Sequence, residues 1–262
     1  MRYILQPDRA RRWDYYAARG LVILLLVFAF TFRCEAEDVS IKTIETIQRS
    51  VVPVLCMVPD EKNSGAAKVR KIMGTGFLIN REGYFLTAAH VVLGLKPTCG
   101  DESFWAIYIP LTPWNTRTKV STRWFSFSEC RYNEATDVAF CKLKNNPFSD
   151  SQVNKNIQSV RFGLFANHPD GSAVAFTGFP LESTVPITSK GFIATYFAIE
   201  NWFGIDKTAW PGASGSPVYD SSGRVIGIMV KRGLNDGAGL SFARPIEPIL
   251  NFLSAEKVAV EK

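Results

Sequence analysis

The sequence predicts an all-β fold, and two features of its 262 residues carry that prediction. From Val51 onward, short runs rich in β-branched and aromatic residues follow one another, each ended by Gly, Pro, Asn or Asp. Between them no stretch carries the 3.6-residue apolar period of a helix, so alternating βαβ units are excluded and a sandwich or barrel is expected.

The runs in the first half are VVPVLCMV (51–58), MGTGFLI (73–79), YFLTAAHVV (84–92), FWAIYIP (104–110), RWFSFSEC (123–130) and DVAFCKL (137–143). Those in the second half are SAVAFTGFP (172–180), GFIATYFAI (191–199), SPVYD (216–220), RVIGIMV (224–230) and LSFARPI (240–246). Short helices are expected only at the ends. Residues 38–50 place Ile41, Ile44 and Ile47 three apart behind a candidate N-cap, Ser40. Near the C-terminus Glu247–Phe252 carries Ile249, Leu250 and Phe252 on a closing helix.

The domain division is 1–36 and 37–262. Residues 1–36 hold Arg2, Arg9, Arg11, Arg12 and Arg19 ahead of the apolar run Leu21–Phe32. A signal-peptide core of about 7–15 residues fits that run. Cys34-Glu35-Ala36 offers small residues for cleavage after Ala36. The alternative is an anchor in the inner membrane through residues 17–33, with the basic flank cytoplasmic. Export to the periplasm or the exterior is expected either way. The net charge of +6 belongs in good part to this segment, and residues 37–262 hold no basic run that could track phosphates, so no nucleic-acid partner is expected. Beyond Ala36 four cysteines remain, Cys56, Cys99, Cys130 and Cys141; they allow three pairings, among which the sequence does not choose. With no Cys-x-x-Cys and two histidines in the chain, no metal site is expected, and no cofactor.

Cutting a peptide bond with a serine requires a base, a carboxylate that fixes the base's tautomer, and N–H donors facing the oxyanion. Pro211-Gly212-Ala213-Ser214-Gly215-Ser216-Pro217 is a tight turn able to expose a serine. His90 closes the strand-like YFLTAAH, and Asp137 opens the apolar run VAFCKL. Both histidines, His90 and His168, precede Ser214, and Ser214 lies in GASGS rather than GxSxG, which excludes an α/β-hydrolase arrangement. His168 sits in the turn-like Asn167-His168-Pro169-Asp170-Gly171.

GTGFLINREGYFLTAAHVV (74–92), ATDVAFCKL (135–143) and PGASGSPVYDSSGRVIGI (211–228) resemble the three motif blocks of trypsin-like serine peptidases, most closely the bacterial HtrA/Deg branch. The resemblance runs over about residues 40–252 and includes GLSFARPI (239–246). It implies a chymotrypsin-like double β-barrel with the active site between the barrels. His90 would be the general base, Asp137 its orienting carboxylate and Ser214 the nucleophile, with the Gly212 and Ser214 N–H groups as oxyanion hole. Protein or peptide substrates are implied; a catalytically silent binding module or scaffold is the competing reading. The sequence departs from the family in three places. Ala213 stands where digestive trypsins carry an aspartate, and Ser216 where most relatives have glycine. Thr208 stands where enzymes cutting after Arg or Lys are acidic, so with Trp210 it suggests a substrate pocket for small or medium apolar residues. Ten residues follow the last helix, so a peptidase without the PDZ domain usual in HtrA proteins is expected.

Overall fold

The computed structural model describes residues 38–61, 66–101, 103–114, 120–232 and 239–261. The export segment, with its candidate cleavage site after Ala36 and candidate anchor, lies outside them. Among the described residues no helix is long and apolar enough to cross a membrane.

The described residues open on α1 (Ile41–Gln48), capped as its sequence predicts: the Ser40 hydroxyl accepts the Thr43 N–H at 3.1 Å. Six strands follow: β1 (Val51–Pro59), β2 (Ala67–Leu78), β3 (Tyr84–Ala88), β4 (Phe104–Pro110), β5 (Thr122–Asn133) and β6 (Val138–Leu143). They close into a barrel in the order β1-β2-β3-β6-β5-β4. The second half adds β8 (Ala173–Gly178), β9 (Ile187–Phe197), β10 (Trp202–Ile205), β11 (Pro217–Tyr219), β12 (Arg224–Arg232) and β13 (Ser241–Pro245). These run in the order β11-β8-β9-β10-β13-β12, and a β11–β12 pairing closes the ring; the two-residue β7 (Arg161–Phe162) adds alongside β12 in parallel. The fold is therefore the expected double β-barrel, with α4 (Ile246–Ala255) closing the chain.

The apolar runs of the first barrel look continuous rather than alternating because both faces are buried. Leu78, Phe85, Ile107 and Ala139 point into the barrel, while their neighbours Phe77, Leu86, Ala106 and Phe140 join a separate core. That second core also takes Ala175, Tyr219, Ile228 and Val230 from the other barrel, Ile47 from α1 and Ile249 from α4. Alternate side chains of one strand thus fill one barrel and glue it to the next. Burial pushes the Tyr219 phenol up to about 12, and its hydroxyl is 2.8 Å from that of Thr177.

One expected strand is corrected. In YFLTAAHVV only Tyr84–Ala88 is strand; Ala89–Leu93 forms a short helix, α2, followed by α3 (Leu95–Cys99). The Ala89 N–H still donates to the Asp137 carbonyl at 3.0 Å, in register with the β3–β6 ladder, and the chain then turns into helix, with the Gly94 N–H donating to the His90 carbonyl at 3.0 Å. His90 accordingly lies in the first turn of a helix rather than at a strand end. The cysteine pairing left open by the sequence is Cys56–Cys99 and Cys130–Cys141, with Cα separations of 5.7 and 4.1 Å. Cys130 and Cys141 are directly opposed on β5 and β6.

Candidate active site

Asp137 sits in the turn from β5 to β6 with φ of 53°, a left-handed conformation that aspartate tolerates better than most residues. The turn closes through a bond from the Asp137 N–H to the Glu134 carbonyl at 3.2 Å and one from the Thr136 N–H to the Asn133 side chain at 3.2 Å. Its carboxylate meets α2 twice. Oδ1 accepts the His90 backbone N–H at 2.9 Å, and Oδ2 lies 2.7 Å from His90 Nδ1. An ionised carboxylate can only accept, so Nδ1 carries the proton. His90 Nε2 is left as the basic nitrogen on a ring 48% exposed to solvent.

Ser214 lies in a turn built by two glycines. Gly212 has φ of 94° and Gly215 φ of 86°, both in the region that favours glycine. The Ala213 N–H donates to the Trp210 carbonyl at 3.0 Å, and the Ser216 N–H to the Ala213 carbonyl at 3.0 Å. Gly215 and Ser216 fasten the far side to β12 through Met229, at 2.7 and 2.9 Å. The Gly212 and Ser214 N–H groups donate to no backbone group among the described residues. This pair of unused donors is what an oxyanion hole requires.

The first barrel supplies the support for this turn, through a residue that sequence reasoning did not single out. Thr75 of β2, fully buried, donates its N–H to the Ser214 carbonyl at 2.9 Å and its hydroxyl to the Gly212 carbonyl at 2.8 Å. The same hydroxyl accepts the Phe179 N–H at 2.9 Å. The serine turn is thereby seated on the barrel that carries the His90–Asp137 couple. A Cβ placed on Gly74 would meet Val91, the neighbour of His90, at 2.6 Å and the Ser214 carbonyl at 3.1 Å, so the strand passes between helix and turn where only glycine fits.

The remaining candidates are placed as follows. Thr208 is half-buried and Trp210 is 54% exposed, on the stretch leading into the turn. Ser241 of β13 bonds to the carbonyl of Lys207, beside Thr208. His168 stands apart from the couple: Nδ1 is 2.9 Å from the Leu164 carbonyl and Nε2 3.2 Å from Asp220 Oδ2. Ser216, flagged as a departure, is fully buried with no hydrogen-bond partner for its hydroxyl among the described residues. Gly178 makes room for it, since a Cβ there would collide with Ser216 Oγ.

A double barrel with a His–Asp couple beside a glycine-flanked serine turn defines a class, the double-barrel serine peptidases. The chain belongs to the trypsin-like peptidase domain family, which it matches over residues 74–228, more than half its length. Its curated relatives fall in the HtrA/Deg branch. It is 28% identical over 190 residues to a probable periplasmic serine endoprotease DegP-like of Halomonas elongata, covering 70% of this chain and 35% of that protein. It is 27% identical over 195 residues to the mitochondrial serine protease HTRA2 of Drosophila erecta, covering 70% and 40%. The chain thus spans well under half the length of these relatives. Among solved structures, an HtrA-type protease AlgW with decapeptide shares the fold at a TM-score of 0.60 and 18% identity, covering 81% of this chain and 66% of that one.

Proposed function

We propose that the chain is a serine endopeptidase working through an acyl-enzyme intermediate, with residues 37–262 as its peptidase domain. His90 Nε2 takes the proton as Ser214 Oγ bonds to the scissile carbonyl carbon. The carbonyl oxygen becomes an oxyanion held by the Gly212 and Ser214 N–H groups. The tetrahedral intermediate collapses, His90 returns the proton to the leaving amine, and water deacylates the serine by the same route. Asp137 keeps the proton on Nδ1 and stabilises the imidazolium that forms at each step. The observation that carries this reading is the 2.7 Å contact between His90 Nδ1 and Asp137, which leaves Nε2 as the base.

Several features support the finer parts of the proposal. Two disulfides engage all four cysteines after Ala36, which favours an oxidising compartment and hence export, with 1–36 as signal peptide or anchor. The periplasmic name of the Halomonas elongata relative agrees with this. Substrates are protein or peptide, with small or medium apolar residues before the cleaved bond. Thr208 brings no negative charge and Lys207 next to it is cationic, so a buried Arg or Lys of the substrate would lack a partner.

A fluorophosphonate probe tests the reading, because it reacts with a serine only where a base and an oxyanion hole serve it. Wild-type protein should be labelled at Ser214 alone and should cut denatured proteins at neutral but not strongly acid pH, where imidazole cannot accept a proton. Ser214→Ala should end labelling and cleavage, and Asp137→Asn should reduce turnover by about 10⁴. Folded wild-type protein that resists the probe and cuts nothing would replace this reading with that of a binding module or scaffold.

A further inference from the structure

We propose that Arg244 is a positioning residue for Asp137: its guanidinium grips the turn before Asp137 from the opposite barrel and fixes the direction in which the carboxylate meets His90. The proposal rests on the triad reading above.

Arg244 lies on β13, paired with Ile228 of β12. Its side chain reaches over to the first barrel, where Nε donates to the Thr136 carbonyl at 3.0 Å and Nη2 to the Ala135 carbonyl at 3.0 Å. Nη1 turns the other way, donating to the Asn201 carbonyl at 3.0 Å and to the Glu200 carbonyl. Every acceptor is a backbone carbonyl, and among the described residues no carboxylate lies within ion-pairing distance of this cation. Burial pulls its pKa down, and the charge of Asp137 acts in the opposite sense. The guanidinium also lies 5.3 Å from the Trp202 ring, which Lys231 approaches at 5.0 Å.

The grip matters because the Ala89 N–H holds the Asp137 carbonyl at 3.0 Å from the β3 side, while the carbonyls of Ala135 and Thr136 just before it take their side-chain bonds from Arg244. Both bonds to the Asp137 carboxylate come from His90, so the tilt of the pair follows the peptide units on either side of Asp137: Ala89 fixes the one after it and Arg244 those before it. The bonds internal to the turn are longer than the two from Arg244, at 3.2 Å for the Asp137 and Thr136 N–H groups and 3.4 Å for the Thr136 hydroxyl. A planar fork with several fixed donors can hold two consecutive carbonyls in one orientation; an ammonium on a flexible stem can replace the charge but not the fork.

The test is a double-mutant cycle on the full chain. Arg244→Met and Arg244→Lys are each made in the wild-type and Asp137→Asn backgrounds, and kcat, KM and the rate of Ser214 labelling by a fluorophosphonate are measured. Arg244→Met should lower kcat and the labelling rate together by about 10- to 100-fold, the range expected for charge-assisted bonds, with KM changed less than about threefold. Arg244→Lys should fall between it and wild type. In the Asp137→Asn background both should cost less than about threefold, because the group being positioned no longer works. A merely structural arginine would cost the same factor in both backgrounds, and that result, or an Arg244→Met enzyme within twofold of wild type, overturns the proposal. If Arg244→Met fails to fold, Arg244→Lys carries the same comparison. Failure of the triad reading is seen separately, as wild-type protein that is never labelled.

Discussion

Gly212→Ala separates the backbone geometry of the oxyanion turn from its stability. At φ of 94° an L-residue is strained, by about 1–2 kcal/mol for the left-handed region. The added Cβ would also stand 2.6 Å from the Phe179 carbonyl oxygen and 3.2 Å from Pro180 Cα. Neither neighbour is free to yield. The Phe179 N–H is tied to Thr75 at 2.9 Å, and the Leu181 N–H to the Pro211 carbonyl at 2.7 Å. The turn itself must therefore rotate, which takes the Gly212 N–H away from the oxyanion of the proposed mechanism. Loss of one such donor costs about 10²–10³ in kcat, whereas the strain lowers Tm by only roughly 2–8 °C in a domain of this size. Gly171→Ala is the control. Gly171 has φ of 85° but nothing within 4 Å of its missing Cβ, so it carries the strain without the collision. Calorimetry should show a fall in Tm for both variants, the larger for Gly212→Ala, and peptide turnover should be lost only for Gly212→Ala. A Gly212→Ala enzyme within threefold of wild-type kcat would refute the argument, as would a Gly171→Ala enzyme equally impaired.

Ser216→Ala removes a buried hydroxyl that has no partner among the described residues and should raise stability by about 1 kcal/mol in denaturant titrations; a loss of stability would mean that the hydroxyl is satisfied after all. Replacing each disulfide by two alanines should cost about 4 kcal/mol for Cys56–Cys99 and about 3 kcal/mol for Cys130–Cys141, following their sequence separations of 43 and 11. The reverse order in urea unfolding would contradict that assignment of loop lengths.

The sequence made the strands legible because turn residues bound them and because both-face burial filled them with apolar side chains. It overlooked β7 and β10, of two and four residues, whose existence depends on partners distant in the chain. It also extended one strand through His90. The first turn of α2 has the His90 N–H bonded to the Asp137 carboxylate, 47 positions further on, and no local pattern encodes a bond of that range. In α1 the spacing of isoleucines gave the helix and Ile47 faces the core, but Ile41 is 74% exposed, since the first turn extends past the barrel. The cysteine pairing needed the β5–β6 register, which opposes Cys130 to Cys141. His90, Asp137 and Ser214 could be proposed from sequence because the chemistry of a serine peptidase demands particular side chains, and the structure brings His90 and Asp137 into contact. Arg244 could not: its acceptors are carbonyls that any residue could offer, so nothing in residue identity announces the contact.

The contacts around the site also bear on why two barrels are needed. Thr75 belongs to the first barrel and holds the carbonyls of Gly212 and Ser214, which belong to the second. Arg244 belongs to the second barrel and holds the carbonyls of Ala135 and Thr136, which belong to the first. Each barrel therefore carries one part of the proposed site and clamps the part carried by the other. The clamps bond main-chain carbonyls, whose positions follow those of the strands, so a shift between barrels would disturb the serine turn and the aspartate turn together. The shared core of Phe77, Leu86, Phe140, Tyr219 and Ile228 opposes such a shift. Close-packed interiors resist compression and transmit strain, so this core keeps the barrels in register for those hydrogen bonds. The apolar contacts between the barrels thus help to set the geometry in which, on the proposed mechanism, His90 serves Ser214.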